Sequence, residues 1–134
     1  MPAPTSTLFL VEDHPLMRRI LRRVLEDELD LTVIGEAVSA EDALAQLSSL
    51  TPDPLTPDPL TPDLVLSDLM LPGESGVALS RHLSETRPEL RCVIISADDN
   101  PANQNAALAS GALDFVAKDD FDRLIQVVRE ALAA

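Results

Sequence analysis

Five short apolar runs punctuate the chain. Thr7–Val11 ends at Glu12-Asp13, and Leu64–Leu66 ends at Ser67-Asp68. Cys92–Ile95 ends at Ser96, Leu113–Ala117 ends at Lys118, and Leu31–Gly35 is β-branched and apolar. Continuous apolar character, rather than alternation, suits strands covered on both faces, so the runs predict a parallel sheet. Helical spacing fills the gaps. Leu16, Ile20, Val24 and Leu25 recur at a helical period, with Arg18, Arg19, Arg22 and Arg23 in the remaining positions. Ser39 with Asp42 three residues on resembles a capping box that opens a helix to about Leu50. Val77–Glu85 begins after Gly76 and stops before Arg87-Pro88; Ala102–Ser110 stops at Gly111, a position suited to a left-handed cap. Phe121–Ala133 puts Leu124, Ile125, Val128 and Leu132 on one stripe. The order βαβαβαβαβα predicts an α/β sandwich with right-handed crossovers.

One stretch interrupts this rhythm. Thr51–Asp63 reads TPDPLTPDPLTPD, with five of the chain's 11 prolines. It predicts an extended, exposed loop at the N-terminal edge of the sheet, away from the edge where open α/β folds bind ligands. Its PxxP spacing would suit a docking ligand. A tandem duplication tolerated in a surface loop is the plainer reading, since doubling a loop costs only about 0.6 kcal/mol, and no basic residue flanks the repeat.

Length and charge narrow the function. At 134 residues, one domain over 1–134 is the expected count. No apolar run exceeds four residues, where a membrane helix needs about 20. The N-terminus has no secretory pattern, and one cysteine, Cys92, closes no internal disulfide, so a cytoplasmic setting is expected. The net charge of -13 argues against nucleic-acid binding by this chain itself, and Trp and Tyr are absent. Nine of ten basic residues are arginines, which leaves Lys118 as the only lysine.

If the five strands are parallel, Glu12, Asp13, Asp68, Ser96 and Lys118 converge at one edge. Two like charges about 4 Å apart cost roughly 4 kcal/mol at an effective dielectric of 20. Such a carboxylate cluster calls for raised pKa values or a cation, and oxygen ligands suit Mg²⁺. A carboxylate, a divalent cation, a lysine and a hydroxyl together describe phosphoryl-transfer chemistry.

Four motifs then carry a family resemblance: Glu12-Asp13; Asp63-Leu-Val-Leu-Ser-Asp68-Leu-Met-Leu-Pro72-Gly73 with Gly76 beyond; Ile94-Ile95-Ser96-Ala97; and Gly111-Ala-Leu-Asp-Phe115-Val-Ala-Lys118. In this order and spacing, the chain resembles the receiver domain of two-component response regulators over nearly its whole length. The resemblance implies a flavodoxin-like (βα)5 sandwich with sheet order 2-1-3-4-5. It implies Asp68 as phosphoacceptor from a sensor histidine kinase or phosphotransfer protein. It implies Mg²⁺ held by Glu12, Asp13, Asp68 and the Met70 backbone carbonyl, Lys118 on the phosphoryl oxygens, and Ser96 with Phe115 as a coupled switch in which the ring turns inward as Ser96 moves. Met70 and Asp98 match the variable positions that tune dephosphorylation. The responding face would be the fourth helix, fifth strand and fifth helix, roughly Ala102–Ala133, which would serve an output partner or a homodimer. On this reading the chain is a signalling phosphoacceptor that assists its own phosphorylation and dephosphorylation, not an enzyme.

Two features bear on the branch. His14-Pro15 and Lys118-Asp119 resemble receivers that precede helix-turn-helix output domains, and both a free-standing regulator and a receiver portion fit. Asp119 stands where the family usually has proline, which puts the family's cis peptide there in doubt. Two other functions compete. A Mg²⁺-dependent phosphohydrolase would need a second acid where Met70 stands, and a phosphorylation-independent interaction module would have no use for a complete pocket.

Overall fold

A computed structural model describes residues 6–49 and 62–133. The TPDPL repeat, with the exposed loop and PxxP docking spacing expected of it, lies outside the described residues. The elements are β1 (Ser6–Val11), α1 (Pro15–Glu28), β2 (Leu31–Ala37), α2 (Ala40–Ser49), β3 (Leu64–Asp68), α3 (Gly76–Thr86), β4 (Arg91–Ser96), α4 (Pro101–Ala109), β5 (Asp114–Ala117) and α5 (Phe121–Ala133). All strand pairs are parallel, in the order β2-β1-β3-β4-β5. Among the described residues, no helix is long and apolar enough to cross a membrane.

Strand alternation sorts the core into two layers. Leu8, Leu10, Leu64, Leu66, Val93, Ile95 and Val116 face Leu21 and Leu25 of α1 and Leu124, Val127 and Val128 of α5. Phe9, Val11, Val65, Cys92, Ile94 and Phe115 face the other way, onto Ala43 and Leu47 of α2, Leu79 and Leu83 of α3, and Ala107 of α4. Both faces of the central strands are therefore dry, which is why the runs are apolar without alternation.

Local chemistry sets the helix ends. His14 caps α1, its Nδ1 accepting the Met17 N–H at 3.3 Å, and Pro15 follows in the first turn. Ser39 accepts the Asp42 N–H at 3.0 Å, while Asp42 reaches back to the Val38 N–H at 3.1 Å, one residue earlier than in a standard capping box. Gly111 ends α4 with φ +100°, as expected of a left-handed cap. Among the described residues no peptide bond is cis, including Lys118–Asp119.

The second strand runs two residues beyond its apolar stretch. Leu8 pairs with Val33 but Phe9 pairs with Gly35, so one residue bulges out of β2. The bulge reverses the alternation. Leu31 and Val33 belong to the α1/α5 layer, whereas Ala37 belongs to the α2/α3/α4 layer. Glu36 is thereby turned toward α1, where it meets Arg18 and Arg22. Gly35 is required here, since a Cβ at that position would sit 2.6 Å from the Phe9 ring.

Candidate functional site

Parallel strands deliver the expected residues to one edge. Glu12 follows β1 and is fully buried; its N–H donates to the Ala37 carbonyl at 3.0 Å, which pins the β1 exit to the end of β2. Asp68 is the last residue of β3 and is 3% exposed. Lys118 follows β5, and its N–H donates to the Ser96 carbonyl at 2.9 Å.

Carboxylate oxygens of Glu12, Asp13 and Asp68 lie within 4.8 Å of one another. The Lys118 ammonium stands between two of them, 2.5 Å from Glu12 Oε1 and 2.7 Å from Asp68 Oδ2. The other oxygens are held by backbone: Glu12 Oε2 accepts the His14 N–H at 3.1 Å, and Asp68 Oδ1 accepts the Met70 N–H at 3.2 Å. Burial pushes the Glu12 carboxyl above its usual range, and the Asp68 charge adds to this, against opposing hydrogen bonds from Lys118 and His14. For Lys118, burial pulls the pKa down, but hydrogen bonds to Asp68 and Glu12 outweigh it and the net shift is upward.

Three carboxylates facing one ammonium leave an excess of negative charge, and this excess tests whether a cation fits. Glu12 Oε1 is buried, and among the described residues the Lys118 ammonium is the one partner it meets. Asp13 is exposed and opens the cluster to solvent. The donors are all hard oxygens, so the set fits a divalent cation of the Mg²⁺ type. A cleft of about 340 Å³ lined by Asp13, Leu16, Met17, Ala97 and Lys118 adjoins it.

The remaining expected residues lie around this centre. Ser96 is fully buried at the end of β4, its Oγ accepting the Asp98 N–H at 3.1 Å. Asp98 is exposed, and its Oδ1 accepts the Asn100 N–H at 3.2 Å. Met70 is 70% exposed at the mouth. Phe115 is already inward, 7% exposed within the layer that includes Ala107 of α4.

Two further residues bear on the site. Gly76 opens α3 directly behind Asp68, where a Cβ would lie 2.1 Å from the Asp68 carbonyl oxygen. The motif included this glycine without showing its reason. Arg18 is one of the arginines in the positions that the apolar period of α1 leaves over, yet its Nη1 donates to the Glu12 carbonyl at 2.8 Å. No periodicity argument reveals a side chain that turns back to a loop carbonyl.

Comparison with known proteins agrees with this geometry. The family model described as the response regulator receiver domain matches residues 8–129. The DNA-binding transcriptional activator DevR/DosR of Mycobacterium tuberculosis is 33% identical over 112 residues, 84% of this chain and 47% of that protein. The nitrate/nitrite response regulator NarL of Escherichia coli is 30% identical over 129 residues, 96% of this chain and 55% of that protein. The chain thus spans about half the length of these curated relatives. A LuxR-family two-component response regulator from Aurantimonas sp. superposes with a TM-score of 0.84 at 30% identity, covering 97% of this chain and 86% of that one. The signal receiver domain of the NarL regulator of Mycobacterium tuberculosis gives 0.83 at 27% identity, covering 98% and 99%. One of these relatives is a DNA-binding activator, so the expectation that nucleic acid is no partner is not carried beyond this chain. By sequence, fold and the residues at its strand ends, the chain belongs to the response regulator receiver domain family of two-component systems.

Proposed function

We propose that residues 1–134 act as one receiver unit in which Asp68 accepts a phosphoryl group. The observation that carries this reading is the Lys118 ammonium held 2.5 and 2.7 Å from the Glu12 and Asp68 carboxylates. An ammonium so held lies beside the oxygens of any phosphoryl group joined to Asp68. Mg²⁺, held by Glu12, Asp13, Asp68 and the Met70 carbonyl, would neutralise developing charge on the transferring group. In the step itself, an Asp68 carboxylate oxygen forms a bond to phosphorus as the phosphorus–nitrogen bond of a phosphohistidine breaks, and the electron pair leaves with the imidazole. The Met70 N–H fixes Oδ1 of Asp68, and burial keeps the Asp68 carboxylate poorly solvated.

Once Asp68 is phosphorylated, Lys118 gains a dianionic partner and the buried Ser96 hydroxyl gains an acceptor. Ser96 is bonded to the backbone of Lys118 and Asp98, so its movement reaches β5 and the start of α4. Phe115, packed in the layer beneath α4, responds as the second half of the switch. The face formed by α4, β5 and α5 then engages an output partner or a second copy. Its exposed Leu108 and Leu113 support that use. Met70 and Asp98, at the mouth, set access for the water that reverses the reaction. The donor is a sensor histidine kinase or phosphotransfer protein, the setting is cytoplasmic, and the chain signals rather than turning over a substrate.

Intact-mass spectrometry with Mg²⁺ and acetyl phosphate tests the proposal. A gain of one phosphoryl group that needs Mg²⁺ and is lost in Asp68→Asn is expected. Equal labelling of Asp68→Asn would remove Asp68 from the role.

A further inference from the structure

We propose that Arg18 is a positioning residue that fixes the Glu12–Asp13 turn and so sets the affinity of the carboxylate cluster for its divalent cation. The proposal rests on the receiver reading and adds a residue outside the four motifs that carry it.

The geometry is specific to this arginine. Its Nη1 donates to the Glu12 carbonyl at 2.8 Å, and its side chain is only 20% exposed. Arg23, on the same helix, is 83% exposed and among the described residues pairs only with Asp27, at 3.8 Å. The carbonyl that Arg18 holds belongs to the peptide linking Glu12 to Asp13. Fixing that peptide fixes ψ of Glu12 and φ of Asp13, the torsions from which both carboxylates project. Glu12 has other anchors, at Lys118 and at the His14 N–H. Asp13 is exposed, and among the described residues no hydrogen bond or ion pair holds its side chain, which leaves the backbone to direct it.

Arg18 is itself oriented. Glu36 Oε2 lies 3.6 Å from its Nε, and Glu36 Oε1 lies 3.4 Å from Arg22 Nη1. The β2 bulge is what turns Glu36 to this side of the sheet. The guanidinium fork thus spans from an acid on β2 to the backbone beside the cluster. Outer partners that orient metal ligands are worth about 10- to 100-fold in metal affinity.

The test is Mg²⁺ titration by calorimetry on the full chain, paired with labelling by acetyl phosphate across Mg²⁺ concentrations. Arg18→Met is expected to weaken Mg²⁺ about tenfold or more, with labelling restored toward the wild-type rate at saturating Mg²⁺. Arg18→Lys is expected to recover part of the loss, because one ammonium reaches only one of the two partners. Glu36→Gln, which leaves Arg18 in place but loosens it, is expected to shift affinity in the same direction by less, and covers the case in which Arg18→Met does not fold. Arg23→Met serves as the surface control. Arg18→Met and Glu36→Gln both binding Mg²⁺ within twofold of wild type, while wild type binds and labels, would overturn the proposal and leave the receiver reading intact. A wild-type chain that neither binds Mg²⁺ nor labels would overturn both.

Discussion

Replacing Gly76 by alanine adds one methyl group at the most crowded point behind Asp68. The new Cβ lies 2.1 Å from the Asp68 carbonyl oxygen, 3.0 Å from its carbon and 3.1 Å from the Leu69 Cα. All three are backbone atoms, so no rotamer change relieves the clash. The oxygen contact falls about 1.3 Å short of ordinary van der Waals distance. Retreat is costly on both sides. The Gly76 N–H donates to the Leu69 carbonyl at 2.9 Å, and the Leu69 N–H donates to the Ile95 carbonyl at 2.8 Å. Overpacking costs about 1–3 kcal/mol, and a stretched hydrogen bond adds about 1 kcal/mol, so a loss of roughly 2–4 kcal/mol is expected. The same displacement shifts Asp68 relative to the Lys118 ammonium, and a shift of about 1 Å at a reacting group costs on the order of a hundredfold in rate. The chain has no Trp or Tyr, so urea unfolding is followed by far-ultraviolet circular dichroism. Phosphoryl gain is followed by intact mass. A stability change under about 0.5 kcal/mol, with a labelling rate within threefold of wild type, would refute the argument.

Four further outcomes follow from the site and the core. Removing Lys118 leaves two buried carboxylates unpaired, so Lys118→Met is expected to lower the melting temperature in Mg²⁺-free buffer, and added Mg²⁺ to restore part of it by linkage. Because the Lys118 pKa is raised in the fold, its stabilisation is complete below about 10.5 and fades as pH climbs through the higher folded value; a wild-type minus Lys118→Met stability difference that is flat across that range would contradict this. Glu12 is also raised, so its contribution is complete below 4.5 and falls as pH rises past its folded value; Glu12→Gln is expected to remove that descent from a Mg²⁺-free pH series of unfolding free energies. Cys92, 3% exposed with its thiol pushed up to about 12, is expected to resist a thiol reagent in the native chain and to react at once in denaturant.

The site was legible because its chemistry stands at strand exits. An apolar run that ends in an acid, a serine or a lysine announces both the strand and what the strand delivers, and the family resemblance that the motifs carry implies the sheet order. Gly76 and Arg18 were legible as residues but not as roles. The reason for the glycine is a carbonyl eight residues earlier that is brought close only by the turn before α3. The reason for the arginine is a peptide plane at the end of β1, invisible to any count of polar positions on a helix. The apolar run of β2 stops at Gly35, two residues short of the strand, because the charged Glu36 breaks the pattern, and the bulge that reverses the facing has no signature beyond the glycine. Phe115 lies inward here, and the inward turn that the resemblance implies on switching has no sequence mark, since an aromatic ring in one packed state looks the same in sequence as in the other.

The bulge has a consequence for how copies of the chain behave toward one another. Strand β2 lies at one margin of the sheet, pairing only with β1, and β5 lies at the other with just four residues. A long, flat margin is a template on which a neighbouring molecule adds its own strand and begins an aggregate. The extra residue in β2 breaks the regular ladder of amide and carbonyl groups and increases local twist, and Glu36 with its arginine partners places charge beside the break. The same irregularity that brings Glu36 to Arg18 thus blunts the longer margin, while brevity blunts the shorter one. Both sides of the sheet are poor seeds for strand-on-strand growth, which helps a crowded population of these molecules stay dispersed.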